Sequence, residues 1–371
     1  MEKNSNSRKS KTNASYWIIA SIAVLALILS VIVYLQSPKK AGSEVDTRSV
    51  TLIDVGFDTP VTLQATCSED EFNKYLEIVK ETFTECNELF DVYHTYDDHV
   101  SLMEINQNAH DKAIEVDPRI IEVLNEAFKA HEINPKFDVS QGNLIQVWKQ
   151  QFDAETPALP DPQDIQQAIN PDSMNAIKVD GNTIQLTNDQ VALDFGAIAK
   201  GYTTQLAAQK LEEAGFTSGF INAGGNIVLV GQKVDGSEWR IGVQDPESNG
   251  SVLTFITDQA TSLVTSGDYQ RYMEIDGKRY AHIIDPATGY PSEYMRSVTV
   301  INDKSVYCDA MSTALFSVSV EEGLALCEQY DLQAIWIVDK GSLDLPADFQ
   351  TEQFDIYATD QIKNQIQIKQ K

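Results

Sequence analysis

The sequence is poor in basic residues. Lysine and arginine account for 28 of the 371 residues, against 55 aspartates and glutamates, so the formal net charge at pH 7 is −27. A surface with this balance repels nucleic acid and anionic lipid headgroups. The composition therefore excludes nucleic acid as a partner. It also predicts that an anionic ligand is held by a local site or by a metal ion.

Cysteine is scarce as well. The four cysteines show neither a C-x-x-C pattern nor the spacing of a metal site; they are Cys67, Cys86, Cys308 and Cys327. Four cysteines permit three disulfide pairings. Small buried thiols explain these residues equally well.

Long hydrophobic runs are limited to residues 16–35. These twenty residues carry no charge, and that length is enough to cross a bilayer as a helix. Aromatic residues lie at the ends of the run, at Tyr16, Trp17 and Tyr34, and four basic residues precede it. Because basic residues favour the cytoplasmic side, we predict a single-pass protein of the cell membrane with its main domain extracellular. A cleaved signal peptide is the alternative.

These signals divide the chain into predicted segments. Residues 1–15 are the cytoplasmic N-terminus, residues 16–35 are the transmembrane signal-anchor helix, and residues 36–49 are a linker. A single domain follows at residues 50–345. Residues 346–371 are rich in polar side chains and are predicted to be a polar C-terminal tail.

Two helix starts in the domain are marked by capping chemistry. Ser68 and Glu71 have the spacing of a capping box. Asp117 followed by Pro118 is typical of an N-cap and a first helical residue. Helices are therefore predicted to begin at both places.

A third predicted helix, from Gly196 to Ala214, carries Lys200 in its first turn. A helix N-terminus presents unpaired N–H groups and the positive end of the helix dipole, so together with Lys200 it is a candidate seat for a phosphate or diphosphate. The sequence here is neither a Walker loop nor G-x-G-x-x-G. Downstream, the glycine-rich segment Asn222–Asn226 lets the backbone approach a ligand closely. An ordinary tight connection between strands is the alternative for that segment.

A β-hairpin is predicted at the centre of the most informative stretch of sequence. Two strand-like runs, Tyr269–Ile275 and Lys278–Ile284, flank Asp276 and Gly277, a pair typical of a type I′ turn. His282 lies near the end of the second run. A histidine in such a place is suited to exchange a proton with a bound ligand; a partly buried structural histidine is the alternative.

Carboxylates at two other places are candidates for a ligand site. Asp309 and Thr313 are four residues apart, so on a helix they share a face, and their oxygen atoms suit Mg²⁺. The alternative is that Asp309 favours the N-terminus of its own helix. Phe137 and Asp138 lie in a predicted loop, where a carboxylate is available to a ligand.

Four blocks of the sequence, taken in order, resemble those of the FAD:protein FMN transferases, the ApbE family. They are FDVSQGNLIQVW, LDFGAIAKGY followed by AGGN, TSGDYQRY with YAHIIDPATGYP, and CDAMSTALF, and the resemblance spans Gly56 to Asp339. It implies a single α+β catalytic domain with mixed sheets flanked by helices. It also implies Mg²⁺-dependent transfer of FMN from FAD to a threonine or serine of an acceptor protein, with AMP released.

The resemblance also assigns roles to individual residues. His282 corresponds to the family's base, which acts on the acceptor hydroxyl. The metal ligands correspond to Asp309, Thr313 and the backbone oxygen of Ala197, with Ser312 at the same motif. The residues expected at the FAD are Phe57, Tyr96, Lys136, Phe137, Asp138, Asp194, Lys200 and Ile283.

The chain departs from the family pattern at three places. Phe57-Asp58-Thr59 stands where the family has Met-Gly-Thr, Lys136 stands where alanine is usual, and DVSQGN replaces the usual DxxGP. Two other functions remain open at this point: an Mg²⁺-dependent FAD pyrophosphatase that gives FMN and AMP, and a non-catalytic, membrane-tethered flavin-binding protein. The presence of His282 together with the Asp309 and Thr313 pair favours an enzyme, because simple binding needs neither.

Overall fold

The computed structural model describes residues 45–171 and 173–369. The predicted transmembrane helix at residues 16–35 lies outside the described residues. Within them, no helix combines the length and the apolar character needed to cross a membrane.

Two helices of the described part begin where their capping chemistry predicts, whereas the helix predicted from Gly196 begins at Ala199. Ser68 and Glu71 form a reciprocal capping box, and the Asp117 side chain caps a helix whose first residue is Pro118. The helices are α1 (Glu69–Leu89), α2 (Leu102–Asn108), α3 (Pro118–Ile133), α4 (Gly142–Phe152), α5 (Pro162–Ala168), α6 (Ala199–Glu213), α7 (Ser305–Phe316) and α8 (Val320–Tyr330). Two 3₁₀ helices add Ser173–Ala176 and Asp360–Gln365.

The strands of the described part form one large sheet and several small ones. They are β1 (Asp46–Leu52), β2 (Val61–Cys67), β3 (Ile114–Glu115), β4 (Ile177–Asp180), β5 (Thr183–Leu186), β6 (Gly219–Ala223), β7 (Asn226–Val230), β8 (Trp239–Gln244), β9 (Ser251–Thr257), β10 (Ser262–Gly267), β11 (Tyr272–Ile275), β12 (Lys278–Ala281), β13 (Ile284–Asp285), β14 (Tyr290–Pro291), β15 (Ser297–Asn302), β16 (Gln333–Asp339), β17 (Phe349–Gln350), β18 (Phe354–Ala358) and β19 (Ile366–Ile368). The large sheet has nine strands in the order β1-β2-β6-β7-β10-β15-β16-β18-β17.

The large sheet is covered on both faces at its centre. Successive side chains of a strand point to opposite faces, and on β10 Val264 packs in the helix-side core whereas Leu263 packs in the core on the other side. On β16, Trp336 and Ile337 divide in the same way. The far core is closed by the three-stranded sheet β19-β9-β8. Helix α7 packs on the helix-side core. This packing fixes the position of Asp309, Ser312 and Thr313.

Three expectations about the architecture are corrected by the structure. The sheets were expected to contain parallel and antiparallel strands, but every strand pair in the described part is antiparallel. The parallel contact found there is an isolated bridge between Gln141 and Ala192. The predicted linker at residues 36–49 overlaps β1, which pairs with β2 along its whole length. The predicted tail at residues 346–371 contains β18, whose five residues are all buried and pair with β16. A short apolar strand between polar neighbours carries little periodicity, which explains this error.

The predicted hairpin is confirmed, although its strands are shorter than expected. Asp276 and Gly277 both have positive φ, 51° and 76°, as a type I′ turn requires. Strand β12 ends at Ala281, so His282 lies in the bend after the strand and not on it. The four cysteines are free and buried, in agreement with their interpretation as small buried thiols.

The hairpin is held against helix α4 by aromatic packing. Trp148 stacks beside Tyr280 with ring centroids 6.4 Å apart, and it shares a small buried cluster with Met273 of β11. The Trp148 indole N–H also donates to the carbonyl of Gly289 at 2.7 Å. The hairpin and the turn after His282 are therefore fixed to the body of the domain from the same side.

Candidate active site

Helices α6 and α7 touch at a point that only glycine permits. A Cβ atom on Gly201, in the first turn of α6, would lie 2.4 Å from the Cβ of Asp309 and 2.5 Å from the carbonyl oxygen of Ser305. With glycine there, the Gly201 N–H donates to Oδ2 of Asp309 at 2.7 Å. In a continuous helix this N–H would donate to the carbonyl of Ala197. The start of α6 is thus capped by a carboxylate from α7.

Asp309 therefore does not serve the N-terminus of its own helix, because α7 begins four residues earlier at Ser305. Its side chain is only 4% exposed. Burial raises the pKa of Asp309 above its usual value, while the charge of Lys200 and hydrogen bonds from the Gly201 N–H and the Asn226 side chain act in the opposite direction. The site thus holds a buried carboxylate with cationic and N–H neighbours.

The other residues of the predicted metal site lie around Asp309. Thr313 is one turn further along α7 and is half-buried, and Ala197 precedes α6. Ser312 is fully buried, where its hydroxyl donates to the Asp309 carbonyl at 2.9 Å and lies 2.8 Å from the hydroxyl of Ser266. Asp309, Ser312 and Thr313 therefore lie on neighbouring turns of α7, with Ser312 turned toward the core, and their assignment to a metal stays a prediction.

No group of three His, Cys, Asp or Glu side chains is placed to hold a metal in residues 45–171 and 173–369. A cation at Asp309 would instead have neutral oxygen donors, which Mg²⁺ accepts readily when substrate oxygens complete its shell. Asn226 supplies an observation in favour of such a ligand. Its side-chain Oδ1 is buried without a hydrogen-bond partner, and an orphaned buried acceptor is costly unless something binds it.

Lys200 is central to the candidate site. Its positive charge helps to lower the pKa of His282, and it offsets part of the rise that burial causes in the pKa of Asp194 and of Asp309. Among the residues that the structure describes, its hydrogen-bond partner is the Gly196 carbonyl, at a long 3.4 Å. Asp194 fixes the backbone that leads into α6, because its Oδ1 accepts a hydrogen bond from the Gly196 N–H at 2.7 Å. Lys200 is therefore within electrostatic range of both Asp194 and Asp309.

His282 is held by the backbone of Arg271. The carbonyl oxygen of Arg271 accepts from the His282 backbone N–H at 3.1 Å and lies 3.1 Å from the ring Nδ1. Because a carbonyl can only accept, the contact places the ring proton on Nδ1. The lone pair is then on Nε2, which is the atom that can take a proton.

The environment of His282 keeps its ring neutral at physiological pH. Solvent reaches the ring, and the protein around it reduces its hydration. This loss of hydration, with the charges of Lys200 and Arg271, lowers the pKa of His282 to about 4. The imidazole is therefore unprotonated and able to act as a base at neutral pH.

Positive charge is concentrated here in an otherwise acidic protein. Lys200 and Arg271 both act on His282, and Lys149 acts on Asp194. Lys149 lies near Arg271 and is ion-paired to Asp153 at 2.9 Å. Two basic side chains beside one histidine, with Lys149 near one of them, in a chain with a formal charge of −27, indicate local recognition of an anion.

Several residues that were predicted to contact FAD make contacts within the protein itself. Phe137 is fully buried in the main core. The carboxylate of Asp138 accepts hydrogen bonds from Ser140, Gln141 and Ser173. The Tyr96 hydroxyl donates to Asp91 at 2.9 Å, and its ring stacks on His99 at 4.7 Å. No recorded contact joins the described side chains of these three residues to His282 or Asp309.

Lys136 and Ile283 lie beside the turn that follows His282. Lys136 pairs with the buried Asp285 at 2.9 Å and donates to the Ser317 carbonyl at 2.8 Å, which ties the turn to the end of α7. Ile283 is 7% exposed in the main core. Phe57 belongs to the loop between β1 and β2, where its ring meets Phe83 edge-on at 6.1 Å.

Sequence reasoning missed Gly201, Asn226 and Arg271 as members of the site. The glycine and the asparagine lie inside the quoted blocks LDFGAIAKGY and AGGN, but their closeness to Asp309 depends on tertiary packing. Arg271 had a signal: it is a basic residue next to the hairpin in a chain where such residues are few.

Comparison with known proteins agrees with this geometry. The sequence pattern of the ApbE family matches residues 57–336. The chain belongs to the ApbE family. Among its relatives, the FAD:protein FMN transferase of Vibrio cholerae is 30% identical over 254 residues, covering 68% of this chain and 76% of that protein. The enzyme of the same name from Treponema pallidum is 31% identical over 251 residues, covering 63% and 69%.

Solved structures of ApbE proteins share the fold. The ApbE protein of Thermotoga maritima superposes with a TM-score of 0.75 at 24% identity, covering 86% of this chain and 99% of its own. The flavin transferase ApbE of Vibrio cholerae superposes with a TM-score of 0.71 at 25% identity and the same coverage. The predicted family resemblance is therefore confirmed, and this ApbE protein is an enzyme of the flavin transferase type.

Proposed function

We propose that this ApbE protein transfers FMN from FAD to a threonine or serine hydroxyl of an acceptor protein, forming a phosphoester and releasing AMP. The observation that carries the proposal is that a neutral histidine lies beside two basic side chains, Lys200 and Arg271. His282 presents an unprotonated Nε2, and Lys200 connects it electrostatically to the buried Asp309. Phosphoryl transfer depends on positioning and on charge stabilisation of this kind.

The reaction follows from this arrangement. The acceptor hydroxyl oxygen attacks the phosphorus on the FMN side of the diphosphate, and its proton passes to Nε2 of His282. The bond from that phosphorus to the bridging oxygen breaks, and AMP leaves with the bridging oxygen and the bonding electrons. The Nδ1–H contact to the Arg271 carbonyl keeps the ring oriented during the transfer.

The diphosphate binds at the start of α6, where Lys200 and the helix dipole favour negative charge. Asp309, Thr313 and the Ala197 carbonyl would hold Mg²⁺. The ion would neutralise charge on the diphosphate. The oxygen donor set and the orphaned Oδ1 of Asn226 support this assignment. Among these three ligands, Asp309 would supply the negative charge.

Hydrolysis of FAD to FMN and AMP is a second candidate reaction. The His282 ring is open to solvent, so a water molecule can occupy the place of the acceptor hydroxyl. The same base would then take a proton from water. The two reactions differ in whether the FMN is found on a protein.

We further propose that residues 16–35 anchor the enzyme in the cell membrane and that the domain is extracellular. The uncharged run and the basic residues before it support this topology. Protease added to intact cells should then remove the domain. Survival of the domain in intact cells, with digestion after lysis, would contradict the orientation.

Mass spectrometry tests the proposed function. The full-length protein is incubated with FAD, Mg²⁺ and candidate acceptor proteins, and the acceptor mass and the released nucleotide are measured. Transfer predicts that the acceptor gains the mass of FMN less one water, with one AMP per modified residue. Free FMN and AMP with an unchanged acceptor would indicate a pyrophosphatase. Bound FAD without turnover would indicate a flavin-binding protein.

A further inference from the structure

Two loops meet at the edge of the candidate site through one ion pair. Asp58, in the loop between β1 and β2, lies 3.5 Å from the Arg271 guanidinium, measured from Oδ2 to Nη2. Both side chains are exposed to solvent, at 85% for Asp58 and 54% for Arg271. Among the described residues, this is the only ion pair that Arg271 forms. The contact is weak enough to be broken by a competing anion.

The base of the Asp58 loop is fixed, which leaves its tip to make the contact. The Phe57 N–H donates to Asn87 Oδ1 at 2.8 Å. On the other side of Asp58, Thr59 lies so close to Gly224 that a Cβ there would be 2.0 Å from the Thr59 hydroxyl oxygen. Asp58 is therefore presented from a loop anchored on both sides.

The backbone at Asp58 is in a conformation that favours glycine. Its φ is 48° and that of Phe57 is 57°, in the left-handed region that costs non-glycine residues free energy. Glycine adopts this conformation readily, whereas this chain has a carboxylate there. Asp58 thus places a negative charge beside Arg271 at the cost of some backbone strain.

Arg271 also contacts the reacting part of the site. Its carbonyl orients the His282 ring, and its positive charge lowers the pKa of that ring. The guanidinium is thus within electrostatic range of the base. A diphosphate that reaches Lys200 and His282 enters the field of Arg271 as well.

We propose that Arg271 binds the diphosphate of FAD and that Asp58 occupies Arg271 in the ligand-free protein as a competing anion. The inference rests on the proposed function, since it names a residue that holds the substrate of the same site. Guanidinium groups bind phosphate oxygens with two parallel hydrogen bonds. A diphosphate with several charged oxygens therefore displaces a single exposed carboxylate.

The test measures binding of FAD and of riboflavin, which has the same ring system but no phosphate. Flavin fluorescence is titrated with full-length wild-type, Asp58→Asn and Arg271→Gln proteins at low and high salt. Arg271→Gln should weaken FAD binding by about 10-fold or more, as expected for a lost charged hydrogen bond, and leave riboflavin binding unchanged. Asp58→Asn should tighten FAD binding by about 2- to 5-fold at low salt, and the gain should shrink at high salt.

The double variant provides the decisive comparison. In an Arg271→Gln background, Asp58→Asn should have no further effect, because its partner is gone. Arg240→Gln, which removes an exposed charge on β8, is the matched control and should bind FAD as the wild type does. Equal loss of FAD and riboflavin in Arg271→Gln, or tighter binding by Asp58→Asn without Arg271, would overturn the proposal. Failure of the wild type to bind FAD would instead refute the proposed function itself.

Discussion

Replacing Asp309 by asparagine and by alanine should have opposite effects on the metal-free protein. Asparagine keeps an oxygen for the Gly201 N–H and removes a buried charge, so the free energy of unfolding should not fall. Alanine leaves that N–H, now bonded at 2.7 Å, without an acceptor. A buried unsatisfied donor costs about 1–3 kcal/mol, so Asp309→Ala should be less stable by at least that amount.

The pH dependence of the same comparison has a defined sign. Burial raises the pKa of Asp309 in the folded state, so the folded protein binds this proton more tightly than the unfolded chain. The contribution to stability is therefore present at low pH and is lost as pH rises through the folded pKa. Asp309→Asn should lack this contribution, and its advantage over the wild type should be largest at neutral pH.

Adding Mg²⁺ and FAD separates the metal-binding role from the capping role. A ligand at one hundred times its dissociation constant stabilises the folded state by about 2.7 kcal/mol, and both variants should lose the Mg²⁺-dependent part. Urea unfolding with and without Mg²⁺ measures this directly. Asp303→Asn, an exposed carboxylate just before α7, is the control and should respond like the wild type. An undiminished Mg²⁺ response in Asp309→Asn would refute the assignment of the metal to Asp309.

Three further predictions follow from the site and the core. Because the pKa of His282 is lowered to about 4, kcat/KM should stay level as pH falls through the ordinary histidine range of about 6.5 and drop only below it. Lys200→Gln should move this limb to higher pH, and a limb at 6.5 in the wild type would contradict the lowered pKa of His282. In Gly201→Ala the new Cβ would lie 2.4 Å from the Cβ of Asp309. The variant should therefore lose about 1–3 kcal/mol of stability through overpacking, together with its Mg²⁺-dependent activity. Wild-type stability of this variant in urea would show that α6 and α7 separate easily. Phe137→Ala should cost about 3–5 kcal/mol because the side chain is fully buried, and a stable variant defective only in FAD binding would show instead that Phe137 contacts the flavin.

Local sequence chemistry predicted the features that depend on neighbouring residues. The Ser68 capping box and the type I′ turn at Asp276 and Gly277 were both correct, because each is decided within a few residues. The candidate cluster of Lys200, His282 and Asp309 was assembled from the family resemblance. The structure brings the Lys200 ammonium within electrostatic reach of both His282 and Asp309.

Long-range contacts explain most of what the sequence did not indicate. Gly201 and Asp309 are 108 residues apart, and only the packing of α6 on α7 shows that the carboxylate caps another helix. Phe137 follows the loop pattern of its neighbours, yet its side chain fills the core. Strand β18 is recognised by its pairing with β16, which a five-residue run cannot reveal.

The most direct test of the account compares FMN transfer with FAD binding in His282→Ala. A positioned base contributes about 10²–10⁴-fold to a rate. The account predicts that transfer to the acceptor falls by that factor while FAD affinity and the melting temperature stay close to wild type. A well-folded His282→Ala protein that still modifies its acceptor at nearly the wild-type rate would contradict it.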